Sequence, residues 1–215
     1  MKTSEPGETP TWRRALATLL LALPMARSLA AEPVVGSGNL QTETRQVSGV
    51  QAVELRGAMN LVLRQGQREG VEVRADHNLL PLIETHVVER SGRRTLVIDS
   101  LRGVSYTTRN ELTVTVSLID LKALTISGSG DAHCERLTTD SLHVRLSGSG
   151  NLALSRLETN ALDIRLSGSG DAKASGRTSR VELAIAGSGD LTYAGDPTVN
   201  HSISGSGSIK KLQAP

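Results

Sequence analysis

The chain has 215 residues, with 24 Lys plus Arg against 22 Asp plus Glu, one cysteine and no phenylalanine. The lone Cys134 excludes an internal disulfide. Lys2, Arg13, Arg14 and Arg27 outnumber Glu5 and Glu8 in the first 30 residues, and beyond them each sign contributes 20 residues, so the chain has no basic footprint for nucleic acid.

The first element in chain order is a leader. Arg13 and Arg14 precede an apolar run from Ala15 to Ala26, and Ser28-Leu29-Ala30 follows. Charged, apolar, then small-x-small is the order of a secretory signal, so cleavage is expected after Ala30. The run is shorter than the roughly 20 apolar residues of a membrane span, which makes an uncleaved anchor the weaker reading. The expected organisation is a signal peptide over 1–30, a short linker over 31–45, one β domain over 46–212 and a tail over 213–215. The expected location is periplasmic or at the cell surface, with no transmembrane span in the mature chain; the oligomeric state stays open. Beyond the leader the only aromatics are Tyr106 and Tyr193, a palette for a thin aliphatic core.

Gly36-Ser37-Gly38-Asn39 reads as a frayed turn or part of the linker. From Leu55 to Leu63 apolar residues alternate on both sides of a turn containing Gly57 and Asn60. The segments 71–73, 95–98 and 111–116 alternate as strands do. Asp76 to Ile83 reads as a loop or short helical turn that closes one end.

The clearest signal follows. Gly-Ser-Gly recurs at Gly128, Gly148, Gly168, Gly187 and Gly205, with spacings of 20, 20, 19 and 18 residues, and Asp131, Asn151, Asp171 and Asp190 follow the first four. Leu142, Val144 and Leu146 alternate before a corner, and Leu152 and Leu154 after it. Each unit therefore holds short half-buried strands around a glycine turn, where glycine supplies φ > 0 and Asp or Asn can bond turn amides. In the upstream copy Met59 takes the place of the second glycine, so Gly57, Gly148 and their equivalents are expected to carry the stricter demand.

Two architectures use such units. A meander pairs Leu146 with Leu152 across a hairpin, whereas a solenoid stacks Leu146 on Leu166. Near-identity at equal offsets favours the solenoid, because in-register coils place like on like. The predicted fold is all-β, a single-stranded right-handed parallel β-helix with coils of about 20 residues. A third short side then runs through 155–160, and Lys210 and Lys211 guard the final edge.

The turn from Gly57 to Leu61, the stretch Val71 to Thr85 and the Gly-Ser-Gly-Asp series together resemble the head GIN domain family, described as auto-transporter adhesins. The resemblance covers about 46–212. It implies a right-handed β-helix, an envelope or secreted location and no established enzymatic activity. Nothing after the last repeat could form a membrane barrel, so the resemblance to a complete auto-transporter stops there.

The candidate sites divide in two. The turn column of Asp131, Asn151, Asp171 and Asp190 could bind a cation, but turn capping is the better reading, because denser Gly-Asp repeats characterise calcium solenoids. On the outer face, equal offsets align His143, Asp163 and Glu182, with Arg145 beside Arg165. β-Helix enzymes that cut acidic polysaccharides use carboxylates and basic residues on one outer sheet, but such a row is also an ordinary solvated face. Neither catalytic residues nor a cofactor are expected. His77, His86, His133 and His201 share no ligand spacing, and His133 and Cys134 point to opposite faces of a strand. The favoured function is a non-catalytic envelope protein that binds a glycan or another envelope protein. The alternatives are a carbohydrate-active β-helix enzyme using Asp163 and Glu182, and a periplasmic structural scaffold.

Overall fold

The computed structural model describes residues 32–212; the expected signal peptide and tail lie outside them. In chain order the strands are β1 (Val34–Val35), β2 (Leu40–Arg45), β3 (Ala52–Gly57), β4 (Asn60–Gln65), β5 (Gly70–Asp76), β6 (Ile83–Arg90), β7 (Arg93–Ser100), β8 (Tyr106–Thr107), β9 (Thr113–Leu118), β10 (Ala123–Gly128), β11 (Ala132–Gly148), β12 (Leu152–Gly168), β13 (Ala172–Gly187), β14 (Leu191–Ala194), β15 (Thr198–Gly205) and β16 (Ile209–Leu212). A single 3-10 turn, Leu80–Leu82, precedes β6.

The repeats form a β-solenoid of about 4 turns, with parallel coils roughly 20 residues apart. Leu146 lies beside Leu166, and Leu166 beside Ile185, in parallel register. The meander is thereby excluded. Inside the coils, aliphatic side chains stand in columns: Val53, Leu124, Val144, Ile164 and Leu183 form one, and all are buried. Each column is thin, yet burial of a leucine or isoleucine contributes about 1.5–3 kcal/mol, and the columns run from coil to coil without a break.

The third side passes through β11 and β12, where Leu137 stacks on Leu157. β13 is one residue shorter than β12, 16 against 17, and the register shifts between Leu154 and Leu157. Gly176 then faces Leu157 so closely that a Cβ would overlap the Leu157 carbonyl. The 19-residue spacing of the third repeat interval originates at this bend and leaves the other two sides in register.

The upstream half departs from a single parallel strand winding. β3 lies between β7 and β10, and β4 lies between β9 and β11. The coil that comes first in sequence is therefore internal in the stack, and the later β7–β9 segment sits beneath it. Antiparallel strands cover that end: β6 on β7, β5 on β9 and β2 on β5. Antiparallel cover removes the exposed parallel edge. β2 occupies 40–45, expected as linker, and pairs with β5 along its whole length, from Leu40 beside Asp76 to Arg45 beside Val71. The turn between β6 and β7 has Ser91 and Gly92 both at positive φ, 50° and 71°, as a two-residue type I′ hairpin requires.

At the corners, the carbonyl of Gly128 accepts both the Ser149 and Gly150 amides, at 2.9 and 3.2 Å. Gly148 needs φ +123°, and a methyl there would overlap the Gly128 carbonyl. Gly150 is equally bound, for another reason: its missing side chain leaves room for the Gly130 carbonyl. The substitution at Met59 had implied tolerance at this position. Met59 escapes because no Gly-Ser-Gly corner lies under it, and its own side chain is fully buried in the core.

A buried acid ties the end of β5 to the loop before β9, and Asn78 beside it latches the N-terminal segment. Asp76, 1% exposed, accepts the Thr108 hydroxyl at 2.7 Å and the Asn110 amide at 2.5 Å. Asn78 donates to the Val35 carbonyl at 2.8 Å and accepts the Ser37 amide at 2.9 Å. The Thr108 hydrogen bond, then that of Asn110, holds the Asp76 carboxyl below its ordinary value.

Two outcomes follow from these contacts. Gly150→Ala should lower unfolding free energy by about 1–3 kcal/mol, the range of overpacking. Gly66→Ala, in open space, should change it far less; equal denaturant midpoints for the two variants would refute steric stacking at Gly150. For Asp76, a folded pKa below the unfolded one means that its contribution is complete above the unfolded carboxylate range, about 3.9, and is lost as pH falls through the folded value. Asp76→Asn should be less stable at neutral pH and show a flatter acid limb in midpoint against pH; an unchanged limb would disprove the tie.

Candidate functional site

The predicted outer-face residues come together. Parallel register puts His143 beside Asp163, Asp163 beside Glu182, and Arg145 beside Arg165. Adjacent coils are about 4.8 Å apart. Asp163 binds Arg165 through both oxygens, at 3.3 and 3.4 Å, and His143 Nδ1 lies 3.5 Å from its Oδ2. Glu182 is exposed, and Asn200 continues the row beyond it. Arg145 is exposed and makes no side-chain hydrogen bond or ion pair among the described residues.

The same rows continue into the upstream half. From His143 the row runs through Ala123, Ala52 and Thr95, and from Arg145 through Thr125 and Glu54. The small side chains of Ala52, Thr95, Ala123 and Thr125 make the floor of a trough of about 460 Å³, with the β6–β7 turn as its far wall. That wall adds Arg90 and Arg93. Repeat offsets could not reveal them, because they belong to an antiparallel hairpin outside the repeat. Ser91-Gly92, read as a type I′ turn, was the available signal.

Carboxylates position part of the wall. Glu54 accepts Arg90 at 2.8 Å through one oxygen and Arg56 at 2.7 Å through the other, and Arg56 also reaches Asp99 at 3.3 Å. The Glu54 hydrogen bond is the main cause that raises the Arg56 guanidinium above its ordinary value.

The turn column forms a ladder between coils. Its side-chain oxygens do not bond amides of their own turn. Asp131 Oδ1 accepts the Asn151 amide at 2.8 Å, Asn151 Oδ1 the Asp171 amide at 3.2 Å, and Asp171 Oδ1 the Asp190 amide at 2.8 Å. At the start, Asn60 Oδ1 accepts the Asp131 amide at 3.4 Å. At the end, the Ser208 hydroxyl and amide reach Asp190 at 2.8 and 2.9 Å and, with Lys210 nearby, hold that carboxyl below its ordinary value. The glycine partners of this ladder, Gly57, Gly128, Gly148, Gly168, Gly187 and Gly205, stack in the same register. We propose that the column is structural, since these oxygens are engaged by the backbone of the next coil.

His133 is exposed on its strand while Cys134 is 2% exposed and faces the core column between Leu63 and Leu154. Burial pushes the thiol up to about 11. A neutral, enclosed thiol is a poor nucleophile.

Residues 50–212 match the family described as "Putative auto-transporter adhesin, head GIN domain". The chain belongs to the head GIN domain family. The chain is also similar, at low identity, to solved structures. A "putative adhesin" from Bacteroides fragilis NCTC 9343 is 21% identical, with 83% of this chain and 100% of that one covered and a TM-score of 0.48. A "putative cell adhesion protein" from Clostridium sporogenes ATCC 15579 is 14% identical, with 82% and 100% covered and a TM-score of 0.48. A "putative lipid binding protein" from Parabacteroides distasonis ATCC 8503 is 20% identical, with 84% and 100% covered and a TM-score of 0.41. No curated protein matches the chain.

In this head GIN domain, Cys134 should resist a water-soluble thiol reagent at neutral pH and react fully once denaturant unfolds the coils. Rapid labelling of the native protein would contradict the burial of the thiol.

Proposed function

We propose that this head GIN domain is exported and acts at the cell surface as a non-catalytic binding module of adhesin type, with the outer face of the His143–Asp163–Glu182 sheet as its contact surface. The observation that carries the reading is the in-register outer face, on which polar groups are fixed along stacked strands beside an open trough. Asp163 is committed to Arg165 and His143, which suits a fixed recognition surface better than a free general acid. Family membership supports the surface location, and the leader over 1–30 supports export.

The test is protease treatment of intact cells that express the full chain with a C-terminal tag. Loss of the tag without cell lysis is the expected result. A tag protected in intact cells and recovered with the periplasmic contents would overturn the surface reading in favour of an internal scaffold.

A further inference from the structure

We infer that the trough between the His143–Arg145 strand and the β6–β7 turn is a binding site for an anionic polysaccharide, one carrying carboxylate or sulfate groups; this rests on the binding-module reading above. The charge is the first observation. Four arginines and two carboxylates line the trough, in a chain whose residues beyond the first 30 carry equal numbers of acids and bases. The local positive excess is therefore concentrated at a concavity.

The arginines divide by role. Arg90 and Arg165 are held by Glu54 and Asp163, and so fix the shape of the two walls. Arg93 and Arg145, one on each wall, have no ion pair among the described residues. A guanidinium offers a planar fork that matches carboxylate or sulfate oxygens in pairs. From Thr95 to His143 the floor spans three strand spacings, about 14 Å, so an occupant can be flanked by both arginines at once.

The floor selects the kind of polymer. It lies in the middle of the sheet: β3 is paired to β7 and β10, and β10 to β3 and β11. It has no free edge at which an extended peptide could add as a strand. Ala123 and Thr125, half-buried between the walls, leave a surface of methyl groups on which a sugar ring can lie. Neither Tyr106 nor Tyr193 lines the trough, so the aromatic platform that would favour a neutral sugar is replaced by cations.

The test measures binding of the purified protein to polygalacturonate and to dextran sulfate, with neutral dextran and poly-glutamate as comparisons. Binding to at least one charged polysaccharide, weakened by added salt, and little binding to dextran are expected. The R93Q/R145Q variant should lose about tenfold or more in affinity, about 1.4 kcal/mol. R64Q/R68Q, with the same loss of charge outside the trough, should bind as the parent does. The two polymers separate carboxylate from sulfate recognition. Equal loss in both variants, equal binding of dextran, or tighter binding of poly-glutamate than of either polysaccharide would overturn the proposal. Such a failure beside a protease-sensitive tag on intact cells would remove the anionic ligand alone; a protected tag would remove the surface location whatever the polymer result.

Discussion

The repeat coils of this domain stack at strand spacing because backbone meets backbone at the glycine corner. The Gly148 and Gly150 positions leave room for the Gly128 and Gly130 carbonyls of the coil below, and the Gly128 carbonyl accepts both the Ser149 and the Gly150 amide. Every other regularity depends on that approach. With the corners superposed, the aliphatic columns meet like on like, and the Asp and Asn oxygens fall within reach of the next coil's amides. Hydrogen bonds to buried or semi-buried amides each contribute only about 1 kcal/mol net. Their effect here is directional: they hold the register in which the outer face is defined.

The repeat made the downstream half readable from residues alone. The recurrence of Gly128, Gly148, Gly168 and Gly187 gave the stacking, and equal offsets before the last three aligned His143 with Asp163 and Glu182. The upstream half hid more, because its pairings join segments with no common spacing. Nothing in Val71–Val73 or Thr95–Ile98 states which strand each meets, and the capping role of β2 depends on partners far along the chain. Met59 misled for a related reason. A residue tolerated where no corner lies beneath says little about corners stacked on one another.

The candidate site shows the same division. Half of the trough, Arg145, Asp163 and Arg165 with His143, lies on repeat strands and was legible as a row. Its other wall comes from a hairpin turn whose Ser91-Gly92 geometry is local, but whose position against Glu54 is tertiary. The functional surface thus joins the periodic and aperiodic parts of one domain, and neither part has the complete charge pattern alone.

The internal position of the β3–β4 coil constrains the order in which the chain can be built. Its two neighbours arrive about 40 and about 70 residues later in sequence, so during synthesis this coil must wait, unpaired on both edges, until β7 and then β10 are made. Zipping from the first coil onward, the simple route for a solenoid, is closed to this domain. Nucleation is easier among the near-identical coils of β11, β12 and β13, whose contacts are only about 20 residues apart. The segment first to emerge would then be among the last to lock.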